Sequence, residues 1–249
     1  MKKIILGLSL FVGLGLSAQE EVTVTSIEID EIVEDSGAKT QAGDLLIRLR
    51  ATGIIPNVSS SIGVIGGEAE VDNAFIPELD FTYFITNRFA AELILGTSQH
   101  DVNTKGSDIS PIVASATNVD IDLGDVRLLP PTLSFQYHHP VLKGKIKPYV
   151  GVGINYTFFY DADQGPVVAD IDYDNAFGYA FQGGVDIFGS DKYFINLDVK
   201  KMFLNTDVTV NASNLDPNNA LGLQQTLSNI KADVDLDPWI VSFGIGRKF

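Results

Sequence analysis

From residue 43 to the end of the chain, bulky apolar side chains and small or polar ones alternate with a period of two. No comparable stretch shows a helical stripe. Alternation of this kind is the signature of strands with two chemically different faces. Eight segments carry it: "DLLIRLRAT", "FIPELDFTYFIT", "RFAAELILGTS", "DVRLLPPTLSFQYHH", "IKPYVGVGINYTFFY", "NAFGYAFQGGVDIF", "YFINLDVKKM" and "DPWIVSFGIGRKF". In the last, Trp239, Val241, Phe243 and Ile245 oppose Ser242, Gly244 and Gly246.

The faces predict the class. A soluble sheet hides its apolar face and solvates the other. Here the apolar face is large and aromatic. The other mixes Gly, Ala, Ser, Thr and Gln with isolated charges, which suits a narrow interior. Lipid outside and a slim, polar lumen inside is the pattern of a transmembrane β-barrel. The connections agree. Those at 86–88, 140–145 and 189–191 are short, and those after Gly53, Thr97, Tyr160 and Leu204 are long and polar. Strict alternation of short turns and long loops predicts an all-β, eight-stranded antiparallel transmembrane β-barrel over residues 43–249.

The N-terminus adds a compartment. Met1-Lys2-Lys3 is basic, Ile4 to Leu16 is apolar, and Ser17-Ala18 are small. These are the three parts of a secretory signal peptide, assigned to residues 1–18. Residues 19–42 read as an acidic periplasmic extension, with seven acids against Lys39 between Glu20 and Gln41. Beyond residue 19 no apolar run is long enough for a membrane helix, so an exported chain is either soluble or a barrel.

The 249-residue chain has no cysteine and a formal charge of −15. That excludes disulfides and thiolate metal sites, and argues against nucleic acid as a partner. No cofactor or metal motif is present. The five aspartates of "DADQGPVVADIDYDN" lack the spacing of a calcium loop. His138-His139 is expected as an interfacial pair. His100 has no matched serine or carboxylate spacing, so no catalytic residue is assigned and no enzyme is expected.

The slim face carries Arg48, Arg50, Glu78, Asp80, Glu92, Asp198 and Lys200. Charges enclosed in a narrow barrel are costly unless paired, so these are expected as lumen ion pairs. Leu46, Ile76, Phe84, Ile94 and Leu128 lie on the same face and are candidates for an apolar channel lining. Proline cannot donate to a ladder, so Pro130 and Pro131 are expected to open a gap in the wall, with Pro77 a second weak point. Trp239 and the terminal Phe249 are assigned to the membrane interface and to recognition of the C-terminal strand by the barrel-assembly machinery.

The runs "LPPTLSFQY", "KPYVGVGINYTFFYD" and "LDPWIVSFGIGRKF", in this order, resemble the outer membrane protein W (OmpW) family, and the similarity extends from Ala42 to Phe249. The resemblance implies an eight-stranded barrel in the cell outer membrane. It also implies a narrow channel for passive passage of small hydrophobic molecules, with lateral exit into the bilayer. Ile94 matches the family's apolar inward position. Lys200 departs from an aromatic there, and the acidic extension is longer than the family pattern. Outer-membrane lipids, lipopolysaccharide and small hydrophobic solutes are the expected partners. The alternative is a structural or loop-mediated interaction protein without transport.

Overall fold

A computed structural model describes residues 39–110 and 116–249. The signal peptide and nearly all of the acidic extension lie outside the described residues. Fourteen strands follow in chain order: β1 (Leu45–Ile55), β2 (Ser59–Ile62), β3 (Glu68–Val71), β4 (Ala74–Phe84), β5 (Phe89–Gly96), β6 (Ser98–Ser107), β7 (Val119–Leu129), β8 (Thr132–His138), β9 (Ile146–Gln164), β10 (Asp170–Tyr173), β11 (Ala176–Phe188), β12 (Tyr193–Asn211), β13 (Ile230–Asp235) and β14 (Trp239–Lys248).

Eight of them close a ring. The antiparallel ladders run β1–β4–β5–β8–β9–β11–β12–β14 and return from β14 to β1. Closure is by long pairing, from Leu46↔Lys248 to Ile55↔Trp239. These eight are the segments that the alternation predicts. Closure leaves no edge strand in this part, which is why every backbone group there can be satisfied without water. The three short turns and both described chain ends lie at one end of the ring. The long connections leave from the other.

The long connections, expected as long polar loops, contain strands of their own. They carry β2, β3, β6, β7, β10 and β13, which extend the ring beyond its far end together with the distal halves of β9 and β12. β12 shows the consequence best. Its 19 residues reach roughly 60 Å, while a membrane strand needs about 9–11 residues. Tyr193, Ile195, Leu197 and Val199 are exposed on its first half, opposite buried Asn196, Asp198 and Lys200. Beyond Lys200 the sense reverses. Met202, Leu204, Val208 and Val210 are buried, and Asn205 and Asp207 face out.

The same reversal occurs on the other elongated elements. In β7, Asp120, Asp122 and Arg127 face out over buried Ile121, Leu123, Val126 and Leu128. In β13, Lys231, Asp233 and Asp235 face out over buried Ile230 and Val234. The chain therefore forms a lipid-type barrel with a polar interior, continued by a water-type barrel with an apolar interior.

Small inward residues give the lower barrel its room. A side-chain carbon on Gly244 would lie 2.8 Å from Arg50 Cγ, and one on Gly184 2.4 Å from the Tyr149 ring. The "slim" face of the sequence is thus the space that the large inward side chains occupy.

Candidate functional site

Three layers stack along the barrel axis. Nearest the chain ends, Leu46, Phe84, Ala90, Phe188 and Phe194 pack into an apolar floor. Phe188 and Phe194 are in ring contact at 4.7 Å.

Above the floor lies a charge cluster built on Arg48 and Arg50, both fully enclosed. Arg48 holds Asp186 with both arms of its guanidinium, Nη2 to Oδ2 at 2.8 Å and Nε to Oδ1 at 3.1 Å. Its Nη1 reaches Asp80 Oδ1 at 2.8 Å and Glu92 Oε1 at 3.2 Å, and donates to Thr82 Oγ1. Arg50 contacts Asp80 at 3.0 Å, Glu92 at 3.1 Å and Glu78 at 3.2 Å. Gln136 and Gln182 each donate to Glu92 Oε2 at 2.7 Å, and Tyr149 donates to Asp198 at 2.7 Å.

Charges this deep are tolerable only when paired and hydrogen-bonded. The cross-strand register supplies the partners, since Arg48 faces Asp80 and Arg50 faces Glu78 across β1 and β4. Eight strands leave an interior that side chains just fill. The cluster ties β1 to β4, β5, β11 and β12, and occupies the lumen.

The third layer is an apolar cavity of about 110 Å³ inside the extension. Its wall includes Ile65, Val126, Leu128, Val208, Ile230 and Val234, drawn from connections separated widely in sequence. These belong to one continuous apolar cluster. The few polar side chains on the wall include Ser98 and His100.

The wall around this layer is laddered unevenly. The ladder from β4 to β5 stops at Glu78↔Gly96, and the β3–β6 ladder begins only at Val71↔Val102. Between them lies Pro77, which has no N–H to offer. Outside this break stand Phe75, 78% exposed, and Leu95. Inside it, Ile76 packs against Gly96. Higher up, among the described residues, no ladder joins β2 to β3 or β9 to β10. At the second of these seams the Phe159 and Tyr173 rings stack at 5.5 Å.

The model of the OmpW family matches residues 41–249. The chain belongs to the OmpW family. It is 36% identical over 204 residues to the outer-membrane protein y4mB of Sinorhizobium fredii, covering 82% of this chain and 79% of that one. It is 30% identical to the dibenzothiophene metabolism operon protein PahQ of Pseudomonas aeruginosa, over 74% of this chain and 76% of the other. Among solved structures it resembles the outer membrane protein OprG of Pseudomonas aeruginosa, with a TM-score of 0.72 and 28% identity over 86% of this chain and 99% of that one.

As an OmpW-family barrel, the protein sits in the cell outer membrane with its exposed apolar belt against lipid. Short turns mark the periplasmic end in such barrels, so the apolar floor is periplasmic and the extension projects outward. Arg48, Arg50, Glu78, Asp80 and Glu92 meet in the cluster. Asp198 joins through Tyr149, and Lys200 makes no ion pair within 4.0 Å among the described residues. Asp186, Asn196, Gln136 and Gln182 belong to it as well. Their inward phase on the period-two pattern was the available signal.

The five apolar candidates separate. Leu128 lines the cavity. Ile76 and Ile94 each lie one inward position above the cluster, beyond Glu78 and Glu92. Leu46 and Phe84 belong to the floor.

Pro130 and Pro131 sit at the junction of β7 and β8, but they leave no opening. Asn155 Nδ2 donates to Pro130 O at 3.1 Å, Pro131 O at 3.2 Å and Thr132 Oγ1 at 3.0 Å. Pairing resumes at once with Leu129↔Phe158. The side-chain amide donates to the proline carbonyls where the backbone ladder is interrupted, and so joins the two strands there. His138 is not interfacial: it is buried, stacked on Tyr149 at 4.9 Å. Trp239 and Phe249 lie at opposite ends of β14, both exposed. Arg247 lies over the Phe249 ring at 4.6 Å.

Proposed function

We propose that the protein is a passive conduit for small hydrophobic molecules, taken up from outside into the apolar cavity and released sideways into the bilayer. The observation that carries the reading is the reversal of polarity at the outer edge of the lipid belt. A water-facing tube with an apolar interior is what an apolar solute needs to cross the hydrated lipopolysaccharide layer. The charge cluster beneath supports lateral release, because an apolar solute gains nothing by displacing hydrogen-bonded ions. The break at Pro77 is the exit in this reading, since exposed Phe75 and Leu95 flank it on the hydrocarbon side. Ile76, Ile94 and Leu128 mark the path from cavity to break. The name of the relative PahQ, a dibenzothiophene metabolism operon protein, suits an apolar aromatic solute.

Lipopolysaccharide surrounds the extension in this reading. The outward aspartates of β7, β10 and β13 set like charge against its anionic groups, so divalent counter-ions complete that contact. Phe249, exposed at the end of the closing strand, is the element offered to the barrel-assembly machinery.

Uptake of an apolar fluorescent probe into reconstituted vesicles tests the conduit. Leu128→Arg places a cation in the cavity wall and is expected to reduce the protein-dependent rate at least fivefold. An unchanged rate in a correctly folded variant would refute the reading.

A further inference from the structure

The cavity is apolar except at a few points, and one of these is a pair. His100 Nδ1 lies 2.8 Å from the carbonyl oxygen of Asp72, and His100 Nε2 lies 3.0 Å from Ser98 Oγ. A carbonyl only accepts, so Nδ1 carries the proton. In the neutral ring Nε2 is then the acceptor, and the Ser98 hydroxyl donates to it. His100 stands in the extension, beyond the lipid belt. Burial holds its imidazole below the usual range, which favours the neutral form.

The direction of these bonds fixes what the wall presents. Ser98 spends its hydrogen on His100, and no other hydrogen-bond partner is found for Ser98 Oγ among the described residues. Its lone pairs remain, on an oxygen polarised by donation to a nitrogen base. Of the other hydroxyls on the wall, Thr157 donates to Asn155 and Thr206 donates to Asp174 O, while Thr104 accepts from Ser107 and keeps its own hydrogen, and the phenol of Tyr173 also lines the cavity. At Ser98 itself the cavity thus offers an acceptor and no donor.

We propose that Ser98, oriented by His100, is a hydrogen-bond-accepting site through which the cavity selects small apolar molecules bearing one O–H or N–H group. This rests on the conduit reading and narrows its substrate class. A hydroxylated ring places its apolar body against Val126 and Leu128 and its hydrogen on Ser98 Oγ. An ether or ketone of the same shape has no hydrogen for Ser98 and meets no donor there, so it gains nothing from this site. A plain hydrocarbon likewise gains nothing from Ser98. The volume sets the size. An apolar cavity of about 150 Å³ holds benzene, so ≈ 110 Å³ suits a solute of about one ring, given slight relaxation of the wall.

The test compares toluene, phenol and anisole on the full chain in lipid nanodiscs, at concentrations corrected for partition into lipid. Binding is read from the ring ¹⁵N signals of His100, assigned with a His100→Phe variant. Phenol is expected to bind roughly three- to tenfold more tightly than anisole, the span that one hydrogen bond to an otherwise unused acceptor gives. Ser98→Ala brings the phenol-to-anisole ratio to about one, and Ser98→Thr, which keeps the hydroxyl, retains the preference. If toluene binds but phenol holds no advantage over anisole, or if Ser98→Ala keeps the advantage, the selection site is refuted and the conduit stands. If none of the three binds, the conduit reading fails and the site with it.

Discussion

Replacing Arg48 by methionine isolates what the charge cluster contributes. The side chain is fully enclosed and holds Asp186, Asp80 and Glu92. The consequences for these three differ. Asp80 and Glu92 keep Arg50, at 3.0 Å and 3.1 Å. Asp186 keeps only the amide of Asn196, at 2.8 Å, and is left as a buried carboxylate without a cation in contact. Removing one partner of a buried pair costs about 3–5 kcal/mol, whereas removing both is often nearly neutral. The expected loss for Arg48→Met is therefore about 3–5 kcal/mol, nearly all of it at Asp186. The double variant Arg48→Met/Asp186→Leu is expected to recover about 2 kcal/mol or more of that. Urea unfolding in short-chain lipid vesicles measures both. The chain has one tryptophan, Trp239, exposed in the outer belt, so its emission reports release from the membrane. A single variant that loses under about 1 kcal/mol, or a double variant as unstable as the single, would refute the assignment of the cost to an orphaned Asp186.

Further outcomes follow from particular contacts. Asn155→Leu removes the amide whose two hydrogens serve three oxygens of the diproline segment. It should destabilise the barrel by about 1–3 kcal/mol and raise amide exchange locally at Leu133 and Tyr156. Gly244→Val puts side-chain atoms where Arg50 Cγ and Leu49 O already lie, and should cost about 1–3 kcal/mol in the same urea assay. Cysteines at 75 and 97, joined by a short thiol cross-linker, are expected to slow probe uptake at least threefold if Pro77 marks the exit. Reduction of a cleavable linker should restore the rate, and an unaffected rate would send the exit to another seam.

The membrane half of this fold was legible because one rule acts on every strand there: bulky residues outside, slim ones inside. That rule placed all eight ring strands and the inward phase of Arg48, Arg50, Asp80 and Glu92. It misled above the belt, where the rule inverts. "VDIDLGDVRL" and "IKADVDLD" also alternate, but with acids on the outer face, and such stretches read as polar loops when only the lipid pattern is sought. The joint of β7 with β8 was read as one strand because the alternation runs on through Leu129 and Leu133. The repair of the diproline by Asn155 depends on a neighbouring strand and leaves no trace in local sequence. The pairing of His100 with Ser98 was missed for a related reason. The two lie two residues apart on one strand face, a spacing that brings side chains close only once both point into a confined space.

In the proposed route, the stacking of the three layers favours one direction for a solute. Moving a six-carbon solute from water into the cavity gains roughly 4–5 kcal/mol, at about 0.8 kcal/mol for each buried CH₂-sized group. From there to the hydrocarbon of the bilayer costs almost nothing, since both are apolar. From there to the periplasm through the lumen costs the whole gain and more. The solute would have to part Arg48 and Arg50 from their carboxylates and then pass the apolar floor of Leu46, Phe84, Phe188 and Phe194. In the proposed route the downhill path therefore runs sideways, and no energy source is required to take it. In this reading the charge cluster does more than stabilise the barrel: by blocking the axis it gives a passive conduit its direction.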